Sequence, residues 1–354
     1  MAKRKADDAE ALPTKKPTKT LPKLRISLCI PLTVISGKNA ANLQQQTAII
    51  NEIARAATLY QVGEIVVLEV PEVTEQVVGG KKTFDEDDDA TTEAPKTMND
   101  AVVAAGLLQY FVTPPYLIKL VFANSAFPEV TNKFKYADKL PKLTLLPFMA
   151  NNDVNRHFRE GIAIAKHTPE VTKKGKKEKA KHKISVTKYV NVGLDEPVEL
   201  DELREIPVHS RVTVDMKNRK VVAPETAYGV VGNKLSFGYY TRVCLKLSQV
   251  FTELLVPEGY LGSVFVNCDD YFQKGEGEEN YRHLPQFLAG AAKGDVLVLL
   301  GNYRDYARAF TADAANLAGI DSVAQMFDSR LEVPRGARIE DASLIALALL
   351  ALRA

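Results

Sequence analysis

Residues 295–301 read Asp295-Val296-Leu297-Val298-Leu299-Leu300-Gly301, and the reading of this run decides the fold. Apolar residues without alternation describe a strand covered on both faces, the pattern of a parallel sheet flanked by helices. Downstream, Val333-Pro334-Arg335-Gly336-Ala337-Arg338-Ile339-Glu340-Asp341 leads into Ala342-Ser343-Leu344-Ile345-Ala346-Leu347-Ala348-Leu349-Leu350. A Pro/Gly loop before an apolar helix sets unpaired backbone N–H groups and the positive end of a helix dipole where the acceptor atoms of a small polar ligand can bind. The helix expected over Ala342–Leu352 is apolar on nearly every face, which suits a core position or a dimer interface.

Working outward, the same strand character recurs near the start of the chain. Ile26-Ser27-Leu28-Cys29-Ile30-Pro31-Leu32 reads as a buried strand closed by proline. Leu43, Thr47, Ile50, Ala54 and Ala57 recur at helical spacing, and Ile65-Val66-Val67-Leu68 is a second buried strand, so the chain opens as strand–helix–strand. Residues 71–98 are acidic and Thr-rich, the composition of a mobile surface loop. Asn99 or Asp100 is placed to cap a helix over Ala101–Phe111.

From about residue 158 the pattern changes. Short candidate strands at Gly161–Lys166, Ile184–Val192, Arg211–Met216 and Lys220–Val222 are separated by turns and a basic run, as in a small β-barrel or sandwich. The α/β character resumes with Phe237–Val243, a helix through Leu255 and a strand over Ser263–Asn267. The expected organisation is therefore a basic tail (1–24), an α/β domain in two parts (25–157 and 235–354), and an inserted β-barrel (158–234).

Charge is segregated rather than excessive. The net charge is only +2 over 354 residues, yet residues 173–183 hold Lys173, Lys174, Lys176, Lys177, Lys179, Lys181 and Lys183, and Asp85-Glu86-Asp87-Asp88-Asp89 opposes them. On a nucleic-acid-binding barrel these lysines would contact phosphates; otherwise the run is a solvated loop between strands. Cys29, Cys244 and Cys268 are too few and scattered for a disulfide framework, which points to a reducing compartment. No apolar run is long enough to span a membrane, and the five histidines show no metal-ligand spacing, so neither a membrane protein nor a metal centre is expected. Lys3-Arg4-Lys5 with Lys15-Lys16 matches a nuclear import signal and equally a solvated tail.

Several separated segments resemble one family in the same order and at similar spacing. Leu28-Cys29-Ile30-Pro31-Leu32-Thr33-Val34, Glu52-Ile53-Ala54-Arg55-Ala56, Glu64-Ile65-Val66-Val67 and Thr113-Pro114-Pro115-Tyr116-Leu117 are similar to the opening of a subfamily of SPOUT RNA methyltransferases. Phe158-Arg159-Glu160-Gly161 and Gly238-Tyr239-Tyr240-Thr241-Arg242 resemble its passage into and out of an inserted barrel. The resemblance implies an α/β fold with a parallel sheet ending in a C-terminal trefoil knot, interrupted by an OB-like β-barrel. It implies S-adenosylmethionine as cofactor and a dimer, homodimeric or formed with a SPOUT relative. It implies precursor ribosomal RNA as substrate during large-subunit biogenesis, among pre-ribosomal particle proteins in the nucleus or nucleolus.

Under that resemblance the cofactor lies among Leu300, Gly301, Val333, Pro334, Gly336, Ala337 and Ile339, with Asn267 and Cys268 on the opposite wall. Arg242 and Arg55 are the candidate catalytic residues, each with an ordinary ion pair as its structural alternative. The three cofactor loops depart from the family pattern. Asn267-Cys268-Asp269-Asp270-Tyr271 is acidic where relatives are basic, Gly301-Asn302-Tyr303 lacks a paired glycine, and the loop at Val333 is shorter and poorer in glycine. These departures support an alternative, a subunit that keeps the fold without the cofactor and serves as an RNA-binding assembly factor or as the partner of an active relative.

Overall fold

The computed structural model describes residues 24–71, 100–123, 128–149, 157–165, 171–173, 176–178, 185–202, 205–228, 238–255, 258–268, 278–287 and 294–353. The basic tail and nearly all of the acidic segment lie outside these residues, as do Asp269, Asp270, Tyr271, Lys174, Lys179, Lys181 and Lys183.

The chain opens with β1 (Leu24–Pro31), α1 (Leu43–Leu59) and β2 (Glu64–Leu68). Pro31 ends β1 because it brings no N–H to the ladder. Asn42 caps α1 by accepting the Gln45 N–H at 3.0 Å, and the Gln45 side chain reaches back to accept the Ala41 N–H at 2.7 Å. Thr47, Ile50, Ala54 and Ala57 are buried on its inner face, whereas Leu43 at the first turn is only half-buried. At the end of α1, Gln61 takes a left-handed conformation and the Val62 N–H turns back onto the Ala57 carbonyl at 2.8 Å, which aims the chain into β2. Helices α2 (Asp100–Phe111) and α3 (Ile118–Ala123) follow, then a 3-10 segment over Pro128–Lys139.

Nine short strands come next among the described residues: β3 (Phe158–Ala163), β4 (Val171–Lys173), β5 (Lys176–Glu178), β6 (Val186–Thr187), β7 (Tyr189–Asn191), β8 (Val198–Glu199), β9 (Ile206–Pro207), β10 (Arg211–Asp215) and β11 (Lys220–Val222). Five of them form an antiparallel half-barrel sheet in the order β11-β10-β3-β7-β8, with β4·β5 and β6·β9 as separate pairs. The single strand expected over Ile184–Val192 is divided at Lys188, where the Thr187 hydroxyl accepts the Tyr189 N–H at 3.0 Å. After α4 (Pro224–Tyr228), parallel structure resumes with β12 (Tyr240–Cys244), α5 (Leu247–Thr252), β13 (Gly262–Asn267), α6 (Glu278–Tyr281), β14 (Gly294–Gly301), α7 (Tyr303–Ala312), β15 (Ser329–Arg330) and α8 (Ile339–Arg353). The α5 helix is shorter than its apolar pattern suggests, and β12 begins later than Phe237 because Gly238 holds a left-handed φ of 113° just before it.

Six strands make one parallel sheet in the order β12-β2-β1-β14-β13-β15. Alternate residues divide its core into two layers. Leu28, Ile30, Val298 and Leu300 face α1, α2 and α8, while Cys29, Val66, Leu297 and Leu299 face α5 and α7. Helices on both faces explain why the run from Val296 to Leu300 is apolar at every position.

The half-barrel is fastened to the helical layer through buried polar contacts. Glu160 accepts from the Thr213 hydroxyl at 2.6 Å and pairs with Arg211 at 3.2 Å, and Arg211 also donates to the Val112 carbonyl at 3.0 Å. Tyr116 donates to the Glu160 carbonyl at 3.2 Å. A side chain at Gly161 would meet Val190 at 2.4 Å, so only glycine lets β3 and β7 approach here.

Candidate functional site

The parallel strands deliver their carboxyl ends to one edge, the place where open α/β sheets bind ligands. Asn267 and Gly301 are register partners there, and the Cys268 N–H donates to the Gly301 carbonyl at 3.1 Å. The Asn267 carboxamide oxygen accepts the Tyr303 N–H at 3.3 Å, tying β13 to the start of α7. Gly301 has φ 149°, and a Cβ on it would meet Pro31 Cγ at 2.8 Å. This glycine therefore serves packing between adjacent strands, with its side-chain space taken by Pro31 and Tyr306.

The loop before α8 is a tight turn. The Ala337 N–H donates to the Pro334 carbonyl at 3.1 Å, and Gly336 sits at φ 87° between them, as the third residue of a type II turn requires. Glu340 and Asp341 occupy the first turn of α8, where carboxylates favour the helix dipole. Arg338 stands against that dipole, but its charge is answered locally: it pairs with Glu340 at 2.8 Å and donates to the Asn39 carbonyl at 2.9 Å. Burial raises the Glu340 pKa; Asp341 and Glu52 raise it further, and Arg338 lowers it in part.

Of the residues expected around a cofactor, Cys268, Leu300, Ala337 and Ile339 share one core layer, and Val333 packs against it. Asn267 and Gly301 stand at the adjoining strand ends, and Pro334 and Gly336 form the turn. Arg242 is not brought to this layer. Its side chain lies on the opposite face of the sheet, where it pairs with Glu64 at 2.7 Å and donates to the Gln249 carbonyl at 3.0 Å. Tyr260 donates to the other Glu64 oxygen at 3.1 Å. Burial works against the Arg242 charge, but the hydrogen bond and charge of Glu64 outweigh it and hold the guanidinium pKa above its ordinary value.

Arg55 is exposed on α1, which packs against α8. It lines a cleft of about 330 Å³ between α1 and residues 140–145. Asn51, one turn earlier on α1, lines the same cleft, and its buried amide nitrogen has no hydrogen-bond partner among the described residues. Neither Asn51 nor the 140–145 wall is among the site residues expected from sequence. The one signal for them is an amide placed four residues before Arg55 on a helix whose other buried residues are aliphatic or threonine.

Lys173, Lys176 and Lys177 belong to the backbone of the β4·β5 hairpin, and their side chains lie outside the described residues. No three His, Cys, Asp or Glu side chains among the described residues come together as a metal site. No helix among them is long and apolar enough to cross a membrane.

Fold and edge define an α/β protein built on a six-stranded parallel sheet. A family described as "Putative RNA methyltransferase" matches residues 25–350, and the chain belongs to that family. Among its relatives, "Putative methyltransferase YMR310C" of Saccharomyces cerevisiae is 30% identical over 310 residues, covering 87% of each chain. "Putative methyltransferase YGR283C" of the same yeast is 35% identical over 250 residues, 70% of this chain and 61% of that protein. A "28S rRNA (uridine-N(3))-methyltransferase" of Drosophila melanogaster is 25% identical over 344 residues, 92% of this chain and 61% of the relative. The chain thus spans about three fifths of the length of the last two.

Proposed function

We propose that the protein methylates ribosomal RNA with S-adenosylmethionine as methyl donor. The observation that carries this reading is the family match over 25–350, on a parallel sheet whose carboxyl edge meets the turn before α8. Half-buried Val333 packs on the core layer of the buried Leu300, Ala337 and Ile339 and, with exposed Pro334, offers apolar surface to the adenosyl half of the cofactor, and the strand ends and the Pro334–Ala337 turn offer backbone groups. When bound, the cofactor would supply an electrophilic methyl group. The chain's own part is to bind the nucleotide, hold it in line and keep water out. Arg55, exposed on α1, is placed to orient a substrate phosphate. By analogy with the relatives' uridine-N(3) activity, a ring nitrogen of uridine is the proposed target.

The finer parts of the reading are proposals of the same kind: a SPOUT trefoil knot, an inserted OB-like domain over 158–234, lysines of 173–183 on RNA, a dimer, and work on large-subunit precursors in the nucleolus. Calorimetric titration of the purified protein with S-adenosylmethionine, followed by mass spectrometry of ribosomal RNA from cells lacking it, tests the proposal. Saturable binding and one lost methyl mark are expected.

A second reading, an RNA-binding subunit that has lost the cofactor, is favoured by one observation. The space beside Gly301, where a ligand would approach the backbone, is filled by Pro31 and Tyr306. Absence of binding in the isolated chain, with binding restored by a related partner, would select it.

A further inference from the structure

The segment 128–145 presents a basic face that the cofactor edge does not use. Phe134 and Ala137 are buried in the core, which turns Lys133, Lys135 and Lys139 outward, with Tyr136 half-buried among them. Lys135 and Lys139 both place their ammonium groups over the Tyr136 ring, at 4.9 and 5.6 Å from its centre. The ring thereby holds two cations on one surface. Neither these two nor Lys133 makes an ion pair among the described residues. Asp138, the one carboxylate within the run 133–139, is occupied by the Tyr110 hydroxyl. Lys142 continues the basic face onto the rim of the cleft.

The cleft has the composition of a nucleotide site. Its volume, about 330 Å³, falls at the lower end of the range of roughly 300–1,000 Å³ usual for small-molecule sites. Ala48, Pro141 and Leu145 give it apolar wall, Glu52 an acceptor, and Arg55 a cation. Asn51 is 9% exposed, and its Nδ2 is a buried donor with no acceptor among the described residues. A buried unpartnered donor is costly, and a ligand acceptor would satisfy it. Asn51, Glu52 and Arg55 lie on α1, which packs against α8, the helix that follows the turn proposed above for the cofactor.

We infer that this surface is the RNA grip of the protein: Lys133, Lys135, Lys139 and Lys142 carry the phosphates of a single strand, and one nucleotide enters the cleft against Asn51. Tyr136 is a positioning residue that acts through the two lysines. The inference rests on the RNA-methyltransferase reading and adds to it the place where substrate is held.

The test uses the full chain with two probes, a fluorescein-labelled single-stranded RNA of mixed sequence and inorganic polyphosphate of matched charge. In Lys135→Gln/Lys139→Gln/Lys142→Gln, the log–log salt slope for RNA should fall in magnitude by roughly 2, at about 0.7 for each phosphate of a single strand no longer neutralised. Tyr136→Leu should weaken RNA binding, and Tyr136→Phe, which keeps the ring, should restore it. Asn51→Leu should weaken RNA several-fold and leave polyphosphate unchanged, because only a nucleotide presents base acceptors to the amide. An unaltered salt slope in the triple variant overturns the inference, as does equal loss of both probes in Asn51→Leu. RNA binding that depends on these residues, in a chain that takes up no S-adenosylmethionine alone or with a related partner, would leave the grip standing and remove the methyltransferase reading. Absence of RNA binding by the unaltered chain would remove both.

Discussion

Glu64 on β2 and Arg242 on β12, 178 positions apart, share a 2.7 Å hydrogen-bonded ion pair on the face of the sheet opposite α1, α2 and α8. Glu64 is 1% exposed, so its carboxylate depends on this partner and on the Tyr260 hydroxyl. Removing one member of a buried pair leaves the other uncompensated. Glu64→Leu should therefore destabilise the protein by roughly 3 kcal/mol, read as a lower urea midpoint. In Glu64→Leu/Arg242→Met much of that loss should return, since two apolar residues leave no buried charge. A double variant no more stable than the single would count against an ion-pair origin.

Asp313 gives the cleanest pH dependence. Burial tends to raise its pKa, but hydrogen bonds from Asn316 and from the Ser248 N–H, at 2.6 and 2.8 Å, outweigh this and hold it below the usual carboxylate value. A depressed folded-state pKa contributes stability that is present above the unfolded value, about 3.9, and is lost as pH falls through the folded value. Asp313→Ala should cost roughly 2 kcal/mol near neutrality. The gap between the two proteins should narrow as pH falls below about 4. Denaturation midpoints of both, followed from pH 7 to 3, provide the check; a gap that widens in acid would contradict the assignment.

The two glycines of the proposed cofactor edge should separate stability from binding. Gly301→Ala drives a methyl group into Pro31 at 2.8 Å and should cost about 1–3 kcal/mol of stability. Gly336→Val acts on a turn residue at φ 87° and should abolish S-adenosylmethionine binding at a stability cost of about 1–2 kcal/mol. Thermal melts and calorimetric titration of both variants distinguish the effects. Full cofactor affinity in folded Gly336→Val would remove the turn from the site.

Neutralising the lysines of 173–183 tests the basic run independently of the face at 128–145. Every phosphate that these lysines neutralise should add roughly 0.7–0.9 to the log–log salt slope of RNA binding, so their replacement by glutamine should flatten it in proportion. An unchanged slope would leave the run without a role in RNA binding.

The local chemistry of the chain was enough to specify five strands of its parallel sheet, β1, β2, β12, β13 and β14, and the helices α1, α2 and α8. The unalternating run Val296–Leu300 is apolar because each residue meets a helix on one face or the other, and that requirement is written position by position. The stripe of α1 and the turn-punctuated strands after residue 158 are legible for the same reason, since periodicity and turn chemistry act over a few residues. Only the tertiary structure could decide partners. Arg242 sits in a segment that invites a catalytic reading, yet β12 pairs with β2 and places it against Glu64, a relation between residues far apart in sequence. Asn51 looks like one more helical amide until residues 140–145 close over it and leave its nitrogen without an acceptor among the described residues. The lysines of 133–142 become a single face because Phe134 and Ala137 turn inward. Burial and pairing across the fold are set by which elements pack together, and no local pattern carries that information.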